Sequence, residues 1–481
     1  MVPQTRRALS LLILVALSGC AVGPDYVRPK LHTTIVAESD TLPNTTETAD
    51  TKGGEVQHIA SDEDVTAKWW EILHSDAINN LIGRAIEENA DICAARAALR
   101  QAEQNLYARE SGFFPFFDVK GSIERQKSIA STKPVEIQNA GVAASYTLDV
   151  FGSTRRQIEA SRAQVESQRF QLESTYLNLV TNILTTAIQL ASIHDQIAAT
   201  QQIIRDEQQE LSILNEQLQM GAIAKGDLLT QQAQLLATKA SLPALEKQEA
   251  QLRHSLSYLS GQFPEDAGGS KLTLSDLQLP TELPKALPAR LIEQRPDVRI
   301  AEAQLKEASA DVGVATGNML PQLTISAGYN GASSSSSFGQ SLISQNPLWS
   351  LASNVSAPIF HGGELWHYRK AAIANLDEAR EHYRSVVEQA FSHVSDTLSA
   401  LEADAQVIKW QDEAERTAHE SLEISRERVR MGAVSYLSFL DAERTYQQAR
   451  ISLISAKATR FSDTVTLFQM LGGGWWNRKD S

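Results

Sequence analysis

The stretch MGAVSYLSFLDAER, Met431 to Arg444, has a counterpart in MGAIAKGDLLTQQA, Met220 to Ala233. Each reads as the end of one helix, a polar break and the start of a new apolar run. A glycine past the last helical turn is the usual residue for a left-handed C-cap. Gly221 and Gly432 therefore mark the tips of two helical hairpins, with returning helices expected over 225–261 and 436–471.

Outward from these tips the echo covers most of the chain, as a search for internal repeats requires. NADICAARAALRQAEQNLYARESGFFPFF, from Asn89, aligns without gaps on RPDVRIAEAQLKEASADVGVATGNMLPQL, from Arg295. Asp91 meets Asp297, Ala95 meets Ala301, Leu99 meets Leu305 and Pro115 meets Pro321. LDVFG, from Leu148, meets APIFHGG, from Ala357, and LSG, from Leu259, is matched with LGG, from Leu471. One unit of roughly 200 residues is written twice, a period too long for a solenoid. Pro280, Pro284 and Pro288 punctuate the junction, because proline favours extended backbone and ends helices.

Within each unit the chain turns helical, in the first copy from WWEIL at Trp69 to about Ser111. Two runs with strand character follow. They are FDVKGSIERQ from Phe117 and GVAASYTLDV from Gly141, then LTISAGYNG from Leu323 and SLASNVSAPI from Ser350. About ten residues is the length a tilted membrane strand needs, and the incomplete alternation of apolar and polar residues is typical of such strands. The links between paired strands are polar, as in the Ser/Gly tract GASSSSSFGQ from Gly331. A long helix comes next. The proline-free stretch from Gly152 to Gly221 allows about 100 Å at 1.5 Å per residue. Leu190, Ile197, Ile204, Leu211 and Leu218 fall seven apart, and so do Leu401, Ile408, Glu415, Leu422 and Val429. That spacing predicts coiled-coil packing.

Composition and the N-terminus narrow the class. The chain has 481 residues, 42% of them hydrophobic, and a net charge of −14, which disfavours a nucleic-acid partner. Arg6 and Arg7 precede the apolar run ALSLLILVAL, long enough for a signal sequence and too short to cross a bilayer. It ends in LSGC, Leu17 to Cys20, which resembles the bacterial lipobox, so Cys20 is the expected site of lipidation. Ala21 follows, where an Asp would resemble the inner-membrane retention signal. Two cysteines exclude a disulfide framework, and Cys93 reads as a small buried hydrophobe on a helix. The expected organisation is a signal peptide over 1–19, a lipidated tether over 20–68 and a first repeat over 69–279. A proline-rich linker over 280–290, a second repeat over 291–474 and a tail over 475–481 complete it.

Four strands cannot close a barrel, and lipid does not tolerate an open sheet edge. Strands placed in a membrane must therefore share one barrel with other copies; three copies would give twelve strands, an even number within the known range.

The residues that carry a family resemblance are CAVGPDYVRP at Cys20, WWEILHSDAINNLI at Trp69, LPARLIEQRPDVRIAEAQL at Leu287, APIFHGG at Ala357 and LGGGW at Leu471. In this order and spacing the sequence resembles the outer-membrane factor family of TolC-like efflux channels, in its NodT-like lipoprotein branch. The resemblance covers nearly all of the chain after Cys20. GNMLP, from Gly317, departs from the aromatic-rich AFFP that the family often carries there. What the resemblance implies is a mainly α, internally duplicated protomer with a membrane β-barrel. It implies a homotrimer with a twelve-stranded barrel in the outer membrane, a periplasmic helical tunnel and a collar that includes both termini. The implied partners are outer-membrane lipid, a periplasmic adaptor and an inner-membrane transporter, commonly proton-driven, and the only non-protein group is lipid on Cys20. At the tips the resemblance implies a gate: Leu437 in an apolar ring, Asp441 in an acidic ring, Arg444 as its potential partner, and Asp227 tethering neighbouring tip helices. Ser438 and Thr230 stand where some relatives carry acids, which leaves the number of acidic rings open. Three symmetric acids near an axis repel, so closure would respond to pH or cations.

Rival classes fit less well. No GxSxG, HExxH, P-loop or paired CxxC points to an enzyme, and His361 and His367 read as loop or collar residues. A periplasmic adaptor lipoprotein has typically one coiled-coil hairpin rather than two, and a purely structural coiled-coil lipoprotein needs no membrane strands. These remain the alternatives to an efflux channel.

Overall fold

The computed structural model describes residues 21–29, 46, 49, 51–60, 65–127, 134–263, 272–284, 292–333 and 348–478. Cys20, the signal segment, Pro288 and the Ser/Gly tract beyond Ser333 lie outside them. The first half holds helices α1 (Asp76–Glu88) and α2 (Ala90–Glu110), strands β2 (Phe116–Gln126) and β3 (Val135–Leu148), and helices α3 (Ser153–Gln219) and α4 (Lys225–Leu259). The second half repeats the order with α5 (Pro296–Gly317), β5 (Gln322–Ser333), β6 (Leu348–Ser356), α6 (Glu364–Arg430) and α7 (Tyr436–Met470). The long helices have 67 residues in each half and the returning helices 35. Two short strands, β1 (His58–Ala60) and β4 (Glu282–Pro284), pair in parallel.

The chain forms two compact units, each drawn from both repeats. One holds residues 97–169 and 300–385 with the N-terminal segment up to Lys30, and contains the four-stranded sheet. The other holds 31–96, 170–299 and 386–481. Its apolar core gathers Trp69, Leu73, Ile78 and Ile82 with Ile183, Leu184 and Ile188 of α3 and Phe461 and Val465 of α7. Trp69 stacks on Phe468 at 6.0 Å between ring centroids. The seven-spaced stripe behaves as expected: Leu190, Ile204, Leu401, Ile408 and Leu422 are buried, and the other members half-buried.

Several expectations need correction. The helical stretch from Trp69 is not continuous. Trp69–Leu73 is a 3-10 turn, and Asn89 separates α1 from α2. The Asn89 side chain accepts from the backbone N–H groups of Asp91 and Ile92, at 2.9 and 3.2 Å, and so caps α2. It also donates to the carbonyl of Leu259, the last residue of α4, at 3.0 Å. Its repeat counterpart Arg295 donates to the carbonyl of Met470, the last residue of α7, at 2.9 Å. The structural partner of Gly261 is accordingly Gly472, each following its helix with positive φ, so LSG matches MLG at Met470 rather than LGG. Cys93 is exposed; its neighbour Ile92 is the buried residue of α2.

The tether is also more built than composition implies. Arg460 of α7 is wholly buried and donates to the carbonyls of Glu55, at 2.7 Å, and Gly53, at 3.4 Å, and to the side chains of Thr46 and Gln57. Beyond it the chain continues into β1, whose partner β4 takes up Pro284 at its end.

Candidate functional site: the strand wall and the hairpin tips

The sheet runs in the order β2-β3-β5-β6, antiparallel throughout. Successive side chains on a strand face opposite sides and directly paired residues face the same side, so the register sorts every position. One side carries the rows Val119–Val142–Tyr329–Trp349, Phe117–Ala144–Ala327–Leu351, and Leu148–Leu323–Val355. The other carries Asp118–Ala143–Gly328–Ser350 and Thr147–Thr324–Asn354, with the two threonine hydroxyls 3.1 Å apart. Along these rows one face is thus apolar and the other polar or small, while Phe116 and Leu348 stand on the polar side and Gln138 on the apolar side. The apolar side chains of β2 and β6 are exposed, Val119 at 80% and Trp349 at 78%. Beyond the strand ends Phe113, Phe114, Ile359, Phe360 and Trp366 are exposed as well, an aromatic-rich border of the kind found where a barrel meets the headgroup region.

The two tips are built alike. Gly221 has φ 73° and Gly432 φ 70°. In the first, the Gly221 N–H donates to Leu218 O and the Ala222 N–H to Gln217 O; in the second, Gly432 donates to Val429 O and Ala433 to Arg428 O. These paired bonds close the last carbonyls of each long helix in a Schellman motif. Leu437, Asp441 and Arg444 lie on the exposed face of α7, Leu437 at 61%. Phe439 and Leu440 face inward onto Leu422 of α6. Asp227 is half-buried in the first turn of α4. Arg444 does not bond Asp441 within the chain; its Nε donates to Gln234 of α4 at 2.9 Å.

A further device, missed in the sequence, joins the N-terminal segment to the sheet-bearing unit. Val22 donates to the carbonyl of Phe151 at 3.1 Å. Arg156, at the start of α3, has a side chain only 4% exposed. It donates to the carbonyl of Val22 at 3.1 Å and pairs with Asp25 and Glu159, each at 2.7 Å. Tyr26 donates to Glu302 of α5 at 3.1 Å, and Arg28 pairs with the same carboxylate at 3.3 Å. Gly23 has φ 100°, and a Cβ there would lie 2.4 Å from the Cα of Gly313. Ala21 abuts Gly152, where β3 hands over to α3. The only advance signal was the pair of glycines, since a lone arginine at a helix start carries none.

Among the described residues no group of three His, Cys, Asp or Glu side chains could hold a metal ion. His361 lies 3.9 Å from Glu364, both half-exposed, and His367 packs edge-on against Trp366.

Comparison with known proteins agrees with this architecture. The family model described as Outer membrane efflux protein matches residues 81–262 and again 287–473, once per repeat. The pyoverdine export outer membrane protein OpmQ of Pseudomonas putida is 28% identical over 419 residues, covering 85% of this chain and 88% of the relative. The probable outer membrane lipoprotein SilC of Salmonella typhimurium is 25% identical over 480 residues, 98% of this chain and 99% of the relative. Among solved structures, the outer-membrane channel OprN superimposes with a TM-score of 0.83 at 25% identity, covering 95% of this chain and all of that one.

Proposed function

Because the chain belongs to the outer membrane efflux protein family, we propose that it works as a passive gated conduit whose wall is completed only by further copies of itself. It is an outer-membrane channel of a tripartite efflux system and catalyses no reaction. The observation that carries the proposal is the sheet. One face is mainly apolar, and among the described residues β2 and β6 each have a strand neighbour on one side only. In hydrocarbon every unpaired N–H or C=O costs several kcal/mol, so β6 of one copy pairs with β2 of the next until the ring closes. Three copies give twelve strands and bring the polar face inward around a water-filled lumen.

The same closure brings three pairs of hairpin tips together. Leu437 and Asp441 are exposed on each and form the constriction, with Arg444 and Asp227 linking neighbouring tip helices. The grooves around Gly221–Asp227 and Gly432–Asp441 receive a periplasmic adaptor, and an inner-membrane transporter, commonly proton-driven, loads the tube. Lipid on Cys20 holds the chain at the membrane. The docking of Ala21, the residue after the cysteine, against Gly152 between β3 and α3 supports this.

The test is the mass and conductance of the purified full-length protein. Light scattering in detergent should report three chains per particle, and planar bilayers should show discrete current steps. A monomer that carries no current would overturn the proposal.

A further inference from the structure

One layer of the hairpin unit is polar where coiled-coil packing wants apolar groups. Glu207 of α3 lies between Ile204 and Leu211 on the seam and is fully buried. Its Oε1 accepts from Thr238 at 2.9 Å and from Gln447 at 3.2 Å, while Oε2 has no partner. Glu443 of α7, one turn before Gln447, is 3% exposed, and its Oε2 is also without a partner. Gln231 of α4 shares a helix face with Gln234 and Thr238; it is wholly buried and neither amide atom is matched. The Tyr436 hydroxyl is unmatched too. These atoms are enclosed within a single chain, so a neighbouring copy cannot satisfy them.

The charge balance of the layer is negative. Glu443 faces Glu207, Glu210 and Asp206 of α3, and Arg426 of α6 is the cation beside it. Arg426 is shared with Glu210, at 3.3 Å, and Glu423, at 2.6 Å. Asp227 of α4 acts on Tyr436. Buried polar atoms without partners are destabilising, and two buried like charges add repulsion. A proton on Glu443 relieves both, because it removes one charge and supplies a donor to a layer with unmatched acceptors.

We propose that Glu443 is the proton-binding residue of a lock inside each hairpin pair: protonated, it holds α7 against α3; deprotonated, it repels Glu207 and loosens α7 beside the tip that carries Leu437 and Asp441. This regulation rests on the reading of the tips as the channel's constriction. Burial first, then Glu207 and Glu210, pushes the Glu443 carboxyl from 4.5 up to about 8, with Arg426 pulling the other way. The packed state therefore binds the proton more tightly than the loosened one. Its advantage is complete below about pH 4.5, falls by about tenfold per pH unit up to about 8, and is constant above that.

Hydrogen exchange of backbone amides in residues 431–447 tests this on the purified full-length protein from pH 5.5 to 9, after correction for intrinsic exchange. Exchange in the wild type should rise at least tenfold and level near pH 8 to 9. Glu443→Gln should stay protected at every pH. Glu207→Gln, which leaves Glu443 in place and removes its like-charged neighbour, should show a smaller rise. A flat wild-type profile overturns the proposal, as does a Glu443→Gln profile that rises like the wild type. Where Glu443→Gln fails to assemble, a Glu207→Gln rise as large as the wild type's does the same. Bilayer current on the same preparation separates the two readings: current with pH-independent exchange overturns the lock alone, and absence of current overturns the channel.

Discussion

Arg156 holds the N-terminal segment through its buried side chain. Its guanidinium is buried against the carbonyl of Val22 while Asp25, its partner, is largely exposed. The anchoring therefore lies in the burial of the arginine rather than in a surface ion pair, which alone contributes little. Arg156→Gln should weaken docking of residues 21–29 by about 2–3 kcal/mol, the scale of lost hydrogen bonds to a charged group. The Val22 amide, bonded to Phe151 O, should lose about 30-fold or more in exchange protection at that scale; an unchanged rate would remove Arg156 from this role. Two glycine substitutions separate conformational cost from crowding. Gly432 has φ 70° and open space around its missing Cβ, so Gly432→Ala should cost only about 1–2 kcal/mol of tip stability. Gly23→Ala meets the backbone of Gly313 at 2.4 Å as well as an unfavourable φ, and should release the segment outright. Equal effects at the two sites, measured by exchange of each segment, would contradict this account.

The four strands were legible in the sequence, but which face each of their residues takes was not. Phe117, Val119 and Ile123 alternate cleanly with Asp118, Lys120 and Ser122, yet β3 and β6 carry Gly, Ala and Ser on both faces, which blurs the period of two. Only the pairing of Val142 with Val119 and Tyr329, and of Tyr329 with Trp349, aligns the apolar positions into rows. The two faces should respond oppositely to one substitution. Val119→Arg puts a charge on the apolar face, which near the bilayer midplane costs about 2–4 kcal/mol, and should lower the yield of heat-resistant oligomer. Ser350→Arg, on the polar face one position from Trp349, should assemble normally and shift the reversal potential toward anions in a salt gradient. A similar loss of oligomer from both would refute the facing assigned by the register. The hairpin helices, by contrast, were legible to within two residues at the ends the sequence bounded, whereas the stretch from Trp69 was read as one helix and is broken at Leu73 and Asn89. The seven-residue spacing of the hairpin helices and the tip glycines are long-range, redundant signals. The docking of residues 51–57 on Arg460 was not legible, because one arginine on an amphipathic helix looks like any solvated one, and only its burial reveals four acceptors around it.

At the scale of the assembled molecule, the two controls proposed above fall on neighbouring acids of α7. Asp441 and Glu443 are two residues apart, about 200° around the helix, so one is exposed at the tip and the other is buried in the hairpin layer. The family resemblance singled out the first, whose counterpart in the other tip is Thr230. The sequence left the second hidden, since an acid at a seam position cannot be told from a solvated one until the neighbouring helices are placed. Arg444 spends only its Nε–H on Gln234 of its own chain, which leaves its other donors for the proposed link to Asp441 of a neighbouring chain. Asp441→Ala should then raise single-channel conductance, and Arg444→Ala should raise it in the same direction, while Gln234→Ala, which frees Arg444, should not open the channel. Salt distinguishes the two acids. Exposed charges are screened over about 10 Å at 0.1 M ionic strength, so raising salt should open the wild type and shrink the difference that Asp441→Ala makes. The Glu443 layer is shut off from solvent and should keep its pH dependence at 1 M salt. A folded trimer in which Asp441→Ala leaves conductance unchanged at low salt would exclude Asp441 from the constriction, whatever the behaviour of Glu443.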